Sequence, residues 1–357
     1  MKHILTRSLA LALLLGVTTA ARAQVAYLDH QHMDFRLAYD AGADGTNKLN
    51  LLLGYNNGTE IFTVSNSQVY IIGNTNAKKA IPANPNYAFL GPVGAPIWIL
   101  PQSQDVTLPY LGVSAEDIPV GEFDNPMRLQ LVSVEGPGNF FAWSVSGAGN
   151  PPTIKMIGTN GVASPDYNAM EPLLGSHEHN NWGFSTNGLY RITLRTVGSP
   201  TGTGTNFIGR DVAWAFQILP LRPWESWVST NWLPATATTI AGPNADPDGD
   251  GIPNALEYAL NLNPNVASSN GLPTCSTFTT NAQTYSALTF TRVKTATDLT
   301  YQPSATGDLT SGTWTPLTNI VSLIDKGATE AVTVSDFIPV AGNTTRFYQL
   351  RVQLPYP

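Results

Sequence analysis

Short apolar runs that alternate with polar residues dominate the chain between residues 24 and 219. The clearest runs are residues 189–195 and 212–218, and a period of two is typical of a strand with one buried face. Their alternating apolar positions are Tyr190, Ile192, Leu194, Val212, Trp214, Phe216 and Ile218. Clusters of Gly, Asn and Pro separate the runs, and no long amphipathic helix interrupts them. We therefore predict that residues 24–219 form an antiparallel β-sandwich.

The apolar period changes to that of a helix between residues 220 and 265. Trp224 and Trp227 recur at helical spacing after Pro223, a residue that is favourable in the first turn of a helix. A second helix is predicted over residues 254–262, directly after another proline. We expect this segment to be a linker of helix, loop and helix.

Residues 271–357 return to the alternating pattern, most clearly at 288–291 and 346–354. A segment of this length fits an ordinary small domain, so we predict a second, independent β-sandwich here. The whole chain is therefore predicted to be mainly β.

The composition narrows the classes of function. Charged residues make up 12% of the chain and apolar residues 42%, which excludes a disordered chain and a coiled coil. Acidic residues outnumber basic ones by 25 to 18, which excludes a basic nucleic-acid-binding protein. Cys275 is the single cysteine, so no disulfide can form within the chain.

The first 23 residues have the order of features of a secretory signal peptide. Lys2 and Arg7 precede an apolar run at residues 9–17, and an Ala-Arg-Ala cleavage site ends at Ala23. That run is too short to cross a bilayer, and no later segment has the length of a transmembrane helix. We predict a signal peptide at residues 1–23 and a secreted protein, extracellular, at the cell surface or in the periplasm, without a transmembrane segment in the mature chain.

Residues 246–257 carry oxygen-bearing side chains at the spacing of an EF-hand calcium loop. The predicted ligands are Asp246, Asp248, Asp250, the backbone carbonyl of Ile252, Asn254 and Glu257. Calcium prefers six to eight oxygen ligands, and Gly251 permits the sharp turn that such a loop needs. Acidic side chains this close repel one another without a cation, so a solvated acidic turn is the less favoured alternative.

The loop resembles those of EF-hand, dockerin and thrombospondin type 3 proteins. A dockerin or a paired, sensor-type EF-hand requires two such loops, whereas this sequence has one. The resemblance therefore implies a structural calcium clip between two β regions, with a dissociation constant of about 10⁻⁴ to 10⁻³ M, as in extracellular modules.

The four histidines that follow the predicted signal peptide form two pairs, His30 with His32 and His177 with His179. Positions i and i+2 of a strand share a face, so each pair can direct two imidazoles to one point, and Asp34 shares the face of the first pair. Imidazole and carboxylate groups suit zinc. We predict that these five residues form one transition-metal site. The alternatives are two unrelated surface pairs, or histidines that form hydrogen bonds in the core.

Three segments of the first region resemble the choice-of-anchor M surface domain. They are residues 32–35 (HMDF), 136–143 (GPGNFFAW) and 177–190 (HEHNNWGFSTNGLY). Gln31 stands where the family pattern has Gly. The resemblance implies an exported, surface-associated β domain from a family linked with metal-uptake systems.

These observations predict a secreted or cell-surface, calcium-binding modular protein without enzymatic activity, and with a histidine-built site for an ion such as Zn²⁺. Its partner is predicted to be a surface ligand or a metal-uptake component, and not nucleic acid. The alternative is a secreted carbohydrate-active enzyme or sugar-binding protein, with Glu135 and either Glu171 or Asp166 as the paired carboxylates. No Gly-x-Ser-x-Gly motif supports a serine hydrolase.

Overall fold

The computed structural model of the chain describes residues 26–56, 61–147, 149–159, 161–232, 240–341 and 345–354. The chain is mainly β, as predicted, with 49% of the described residues in strands and 10% in helices. No helix within these ranges is long and apolar enough to cross a bilayer. The predicted signal peptide at residues 1–23 lies outside the described residues.

The first region contains two sheets. Its strands are β1 (Ala26–Leu28), β2 (His32–Tyr39), β3 (Leu49–Asn56), β4 (Ile61–Val64), β5 (Val69–Gly73), β6 (Lys78–Ala80), β7 (Pro96–Leu100), β8 (Tyr110–Asp117), β9 (Arg128–Glu135), β10 (Phe140–Ser144), β11 (Thr153–Thr159), β12 (Val162–Met170), β13 (His177–His179), β14 (Asn181–Phe184), β15 (Gly188–Gly198), β16 (Phe207–Ile208) and β17 (Val212–Ile218). Short 3-10 turns lie at Gly45–Asn47, Asn66–Gln68, Thr75–Ala77 and Pro85–Leu90. A twelve-stranded sheet has the order β1-β5-β17-β15-β9-β12-β11-β10-β14-β7-β6, with β16 paired to β15. A five-stranded sheet has the order β13-β8-β2-β3-β4.

Three pairings among the described strands are parallel, so the expectation of a wholly antiparallel arrangement is wrong. β1 and β17 each run parallel to β5, and β2 runs parallel to β8. Parallel neighbours require a long connection, and the chain passes through β3 to β7 between β2 and β8. The parallel pairing of β2 with β8 determines which of their residues face each other.

The two sheets of the first region share one hydrophobic core. Phe35 of β2 is fully buried, and its ring centroid lies 5.4 Å from that of Trp182 and 5.2 Å from that of Trp214. Met33 and Leu37 are buried with it. Because successive side chains of a strand alternate between faces, the even-numbered residues of β2 lie on the opposite face of the five-stranded sheet.

The two strands with the clearest alternation differ in burial. In β15 the pattern is confirmed, since Tyr190, Ile192 and Leu194 are fully buried and the residues between them are partly exposed. In β17 every residue is buried, including Ala215 and Gln217. Ala215 lies on the second face of β17 and packs in a separate small cluster with residues of β5, so this face is covered as well. The alternating pattern therefore predicted one buried face for β17, whereas both faces of this strand are buried.

The middle region contains helices α1 (Pro223–Asn231) and α2 (Asn254–Leu260), close to the predicted positions. Helix α2 ends two residues before the predicted end, because Asn261 adopts a left-handed conformation with φ of 61°. Trp224 and Tyr258 pack in one buried cluster, and both bond to Asp298 of the third region. These contacts attach the linker to the region that follows it.

The third region contains a four-stranded and a three-stranded sheet. Its strands are β18 (Thr274–Thr280), β19 (Gln283–Val293), β20 (Thr300–Thr306), β21 (Thr315–Pro316), β22 (Asn319–Asp325), β23 (Thr329–Pro339) and β24 (Phe347–Gln353). The sheet orders are β18-β19-β23-β22 and β21-β20-β24. Leu260 of α2 is buried in the same cluster as Leu288 and Phe290 of β19, so the linker helix contributes to this core. Cys275 is exposed and carries a free thiol.

Two candidate metal centres

The outer face of the five-stranded sheet brings together residues from three adjacent strands. β8 lies between β2 and β13 and pairs with both. In this register Gly112 of β8 is opposite Asp34 on one side and opposite His179 on the other. His32 is opposite Tyr110. The two histidine segments therefore lie on one face of one sheet but are separated by a third strand, which the sequence did not indicate.

Gly112 leaves room for side chains of the two outer strands to meet above the middle strand. A Cβ atom at this position would lie 2.2 Å from Oδ1 of Asp34 and 2.9 Å from Cε1 of His179. Such distances are too short for any side chain, so the carboxylate and the imidazole occupy the space that glycine leaves open. Gly112 was not among the residues predicted from the sequence, although a glycine inside an apolar strand is a known sign of close approach.

His32, Asp34 and His179 form a compact group that we call the inner triad. The two Nε2 atoms of the histidines lie 3.1 Å apart. Oδ2 of Asp34 lies 3.5 Å from Nε2 of His32, and Oδ1 lies 3.9 Å from Nε2 of His179. Four ligands at 2.0–2.1 Å from a zinc ion lie about 3.3 Å from one another. The inner triad thus has nearly the spacing of three ligands of a tetrahedral site.

The surroundings of His179 favour an imidazole that can bind a metal. Its side chain is 9% exposed, and its ring stacks on that of Tyr110 with 3.6 Å between centroids. Burial, with smaller effects of His32 and His177, lowers the pKa of His179 to about 4, although its contact with the Leu111 backbone opposes the shift. At neutral pH the ring is therefore uncharged, which is the form that ligates metal.

Two opposing effects act on the pKa of the Asp34 carboxyl group. Burial raises the pKa of its carboxyl group, and the nearby His32 partly offsets that effect. Its Oδ1 atom is buried and has no hydrogen-bond partner among the described residues. A buried carboxylate oxygen without a partner is costly, and a bound cation would remove that cost.

The other two predicted histidines lie outside the inner triad. Nδ1 of His177 contacts Oε1 of Glu116 at 3.2 Å, and the His177 ring centroid is 5.6 Å from that of His179. His30 is exposed, and its Nδ1 contacts Asp29 instead. The structure therefore does not present one group of four histidines, because His30 precedes β2 and is not held by the sheet register.

A cavity of about 290 Å³ opens in front of the inner triad. Its walls contain His32 and Asp34 themselves, and further residues from β2, β3, β8 and β13. Those further residues are Arg36, Gly54, Tyr55, Asn56, Ser114, Glu116 and His177. A metal held by three protein ligands would therefore have a fourth position that a solvent molecule or a ligand can reach.

The second candidate centre is the loop before α2. Asp246, Asp248 and Asp250 place carboxylate oxygens within 4.8 Å of one another. The loop is shaped by its own side chains, because Asp246 accepts hydrogen bonds from the backbone N–H groups of Gly249 at 2.9 Å and Gly251 at 2.8 Å. Both glycines have positive φ, of 75° and 86°, which other residues rarely adopt.

Three buried oxygens of this loop have no hydrogen-bond partner among the described residues. They are Oδ2 of Asp248, Oδ1 of Asn254 and Oε2 of Glu257. Asn254 is fully buried, and its amide donates to the carbonyls of Ile240 at 2.7 Å and Gly242 at 2.9 Å. Those bonds use the nitrogen and leave the oxygen free. Buried oxygens without partners, at three positions of the predicted ligand set, are consistent with a cation site.

Glu257 gives the strongest electrostatic indication of a cation site in this loop. It is 1% exposed, and burial together with the repulsion of Asp248, Asp250 and Asp246 raises its pKa to about 7. A divalent ion would stabilise all four carboxylates at once. The Ile252 N–H donates to Asp250, which fixes the loop backbone at the residue whose carbonyl was predicted as a ligand.

The three carboxylates considered for glycoside hydrolysis lie outside the cavity at the inner triad, and two of them form ion pairs. Glu135 forms an ion pair with Arg191 at 3.8 Å, and Glu171 forms one with Arg128 at 3.1 Å. Asp166 lies on β12 and is exposed. None of the three lines the cavity at the inner triad.

Comparison with known proteins adds no family to this picture. No protein-family model matches the chain, and no curated protein matches it. A proposal about function therefore has to rest on the geometry of the two candidate centres.

Proposed function

We propose that this protein is an exported, surface-associated metal-binding protein, in which the inner triad binds one transition-metal ion of the zinc type. The observation that carries the proposal is the spacing of the two Nε2 atoms and the Asp34 carboxylate, at 3.1 to 3.9 Å. Export is supported by the pattern of residues 1–23, and a surface β domain by the resemblance to the choice-of-anchor M family. Two sheets that share one core support a sandwich for this region.

The loop before α2 has a structural role in the same proposal. Calcium bound by Asp246, Asp248, Asp250, Asn254 and Glu257 fixes α2 to the loop, because Glu257 belongs to the helix and the aspartates do not. Helix α2 in turn contributes Leu260 to the core of the third region. Calcium is thereby expected to stabilise the junction between the linker and that region, and not to act as a sensor.

The test is calorimetric titration of the purified mature protein with Zn²⁺ after removal of metals. We expect one bound ion per chain and at least about 100-fold weaker binding in His32→Ala and in His179→Ala, because each loses one of three ligands. His30→Ala is the matched control, since His30 is an exposed histidine outside the inner triad. Equal affinity in all three variants and the wild type would overturn the proposal.

A second candidate function, sugar binding, is favoured by another cavity. A groove of about 600 Å³ is walled by Tyr87 and Trp143 and by several amide side chains, and none of its described lining residues is charged. Those amides are Asn84, Gln102, Asn150 and Asn181. The partly exposed ring of Tyr87 and the neutral donors suit a neutral sugar. Titration with neutral oligosaccharides, with Tyr87→Ala as the variant, tests it; no binding by any of them would exclude this function.

A further inference from the structure

We propose that Glu116 and His177, which we call the outer pair, form an exposed metal position through which the ion enters and leaves the inner triad. The proposal rests on the function proposed for that triad. It adds that the site is built for exchange of the ion, and not for permanent retention. The outer pair is therefore assigned a kinetic role in metal transfer.

Exposure is lowest at two members of the inner triad. The side chains of His179 and Asp34 are 9% and 21% exposed, whereas that of His32 is 39% exposed and those of His177 and Glu116 are 43% and 54% exposed. Both members of the outer pair line the cavity that opens in front of the triad. An ion that arrives from solvent therefore meets the outer pair and His32 before it reaches the more buried Asp34 and His179.

The outer pair is close enough to the triad to transfer an ion. The His177 ring centroid lies 5.6 Å from that of His179 and 6.4 Å from that of His32. Zinc can expand its coordination from four ligands to five. An imidazole at this distance can therefore replace one ligand at a time, so that the ion is never fully rehydrated during transfer.

Glu116 is held in position by its own strand. Its Oε2 accepts a hydrogen bond from the Ser114 hydroxyl at 3.0 Å, while its Oε1 contacts Nδ1 of His177 at 3.2 Å. Ser114 is directly opposite His177 in the sheet register. One carboxylate and one imidazole are thus arranged side by side, which is a suitable two-ligand set for a borderline divalent cation.

The charges around the cavity favour a cation at the outer pair. Arg36 is the cationic side chain in the cavity wall, and its guanidinium is bonded to Asp117 at 2.7 Å. Asp117 therefore largely compensates the charge of Arg36. The carboxylates of Asp34 and Glu116 then give the cavity wall its net negative charge. A cavity lined by net negative charge raises the local concentration of cations and their rate of association.

The experiment measures the rates of Zn²⁺ exchange in the full mature protein by stopped-flow. Association is followed with Zn²⁺ alone, and release is followed by transfer of the ion to a chromophoric chelator. In the double variant Glu116→Gln with His177→Ala, we expect both rates to fall by about tenfold, because the outer pair assists each direction of the same path. The dissociation constant then stays close to that of the wild type, in contrast to His32→Ala.

Glu122→Gln is the matched control, because Glu122 is an exposed carboxylate outside the cavity, and both rates should stay at the wild-type value. Unchanged rates in the double variant would overturn the kinetic role proposed for the outer pair. An affinity loss as large as that of His32→Ala would also overturn it, because Glu116 or His177 would then be a ligand of the retained ion. If the wild type binds no Zn²⁺ at all, the function proposed for the triad fails as well, and the two failures are therefore distinguishable.

Discussion

The two candidate centres differ in how the chain assembles them. The candidate calcium loop draws its predicted ligands from one segment of twelve residues, and hydrogen bonds within that segment shape it. The inner triad joins His32 and His179, which are 147 residues apart and lie on strands that do not pair with each other. A local site needs only its own turn, whereas a distant one needs a complete sheet in the correct register.

This difference determines which substitutions affect each centre. At the candidate calcium loop, we expect the sensitive residues to be the predicted ligands and the two glycines that shape the turn. At the inner triad, we also expect sensitivity at Gly112, which is not a predicted ligand, because its missing side chain leaves room for Asp34 and His179 to meet. Substitutions that weaken one centre and leave the other unchanged therefore test the comparison directly.

The largest expected effect is at Glu257. In Glu257→Gln the buried carboxylate becomes a neutral amide, so calcium affinity should fall on the order of 100-fold, because one oxygen and one charge are lost. Zn²⁺ affinity at the inner triad should not change. Calorimetric titrations with each ion measure both effects, and Glu171→Gln is the control for removal of an exposed carboxylate. Unchanged calcium affinity in Glu257→Gln would show that the loop is only an acidic turn.

Gly112→Ala is the corresponding test for the inner triad. The added methyl group would overlap Asp34 and His179, so the triad must open and Zn²⁺ affinity should fall about 10- to 100-fold. Calcium affinity should stay constant. In the control Gly42→Ala, the nearest atom to the new Cβ is 3.5 Å away, which is an ordinary contact. If both alanine variants bind Zn²⁺ like the wild type, the close approach at Gly112 is not required.

The pH dependence of stability separates the calcium-free and calcium-bound forms. The pKa of Glu257 is about 7 in the folded chain, above its usual value of 4.5, so the folded state binds more protons between these pH values. Without calcium, the contribution of Glu257 to stability is fully present below pH 4.5. It is lost as the pH rises through 7, at a cost on the order of 3 kcal/mol.

Urea unfolding with a calcium chelator measures this loss, and Glu257→Gln should remove it. Saturating calcium should reverse the trend, because the ion binds the deprotonated carboxylate and stabilises the folded state more as the pH rises. A calcium-free protein whose stability does not decrease between pH 4.5 and 7, relative to Glu257→Gln, would contradict this explanation.

The smallest expected effect is at Tyr110, whose ring stacks on His179. Tyr110→Leu keeps an apolar side chain but removes the stacking, which is worth about 0.5–1.5 kcal/mol. We expect Zn²⁺ to bind about 2- to 12-fold more weakly, because His179 is less firmly oriented. Tyr55→Leu is the control, since Tyr55 lines the same cavity but stacks on Phe62. Equal effects in both variants would mean that the stacking has no specific role.

Strand periodicity and the position of the linker helices could be predicted from sequence because both depend on local pattern. The alternation in β15 and the start of α2 at Asn254 are confirmed. The complete burial of β17 could not be predicted, because its second face is covered by residues of β5, which are distant in sequence. Burial on the less apolar face of a strand depends on what the fold places over it.

The same distinction applies to the two centres. The sequence alone determined the candidate calcium ligands, because a turn of fixed spacing places all of them around one point. It also determined that the two histidine segments were candidates, since i and i+2 positions share a face. Only the tertiary structure decided that His32, Asp34 and His179 meet while His30 does not. The parallel pairing of β2 with β8 and the missing side chain at Gly112 make that meeting possible, and strand register over 147 residues is a property of the whole sheet.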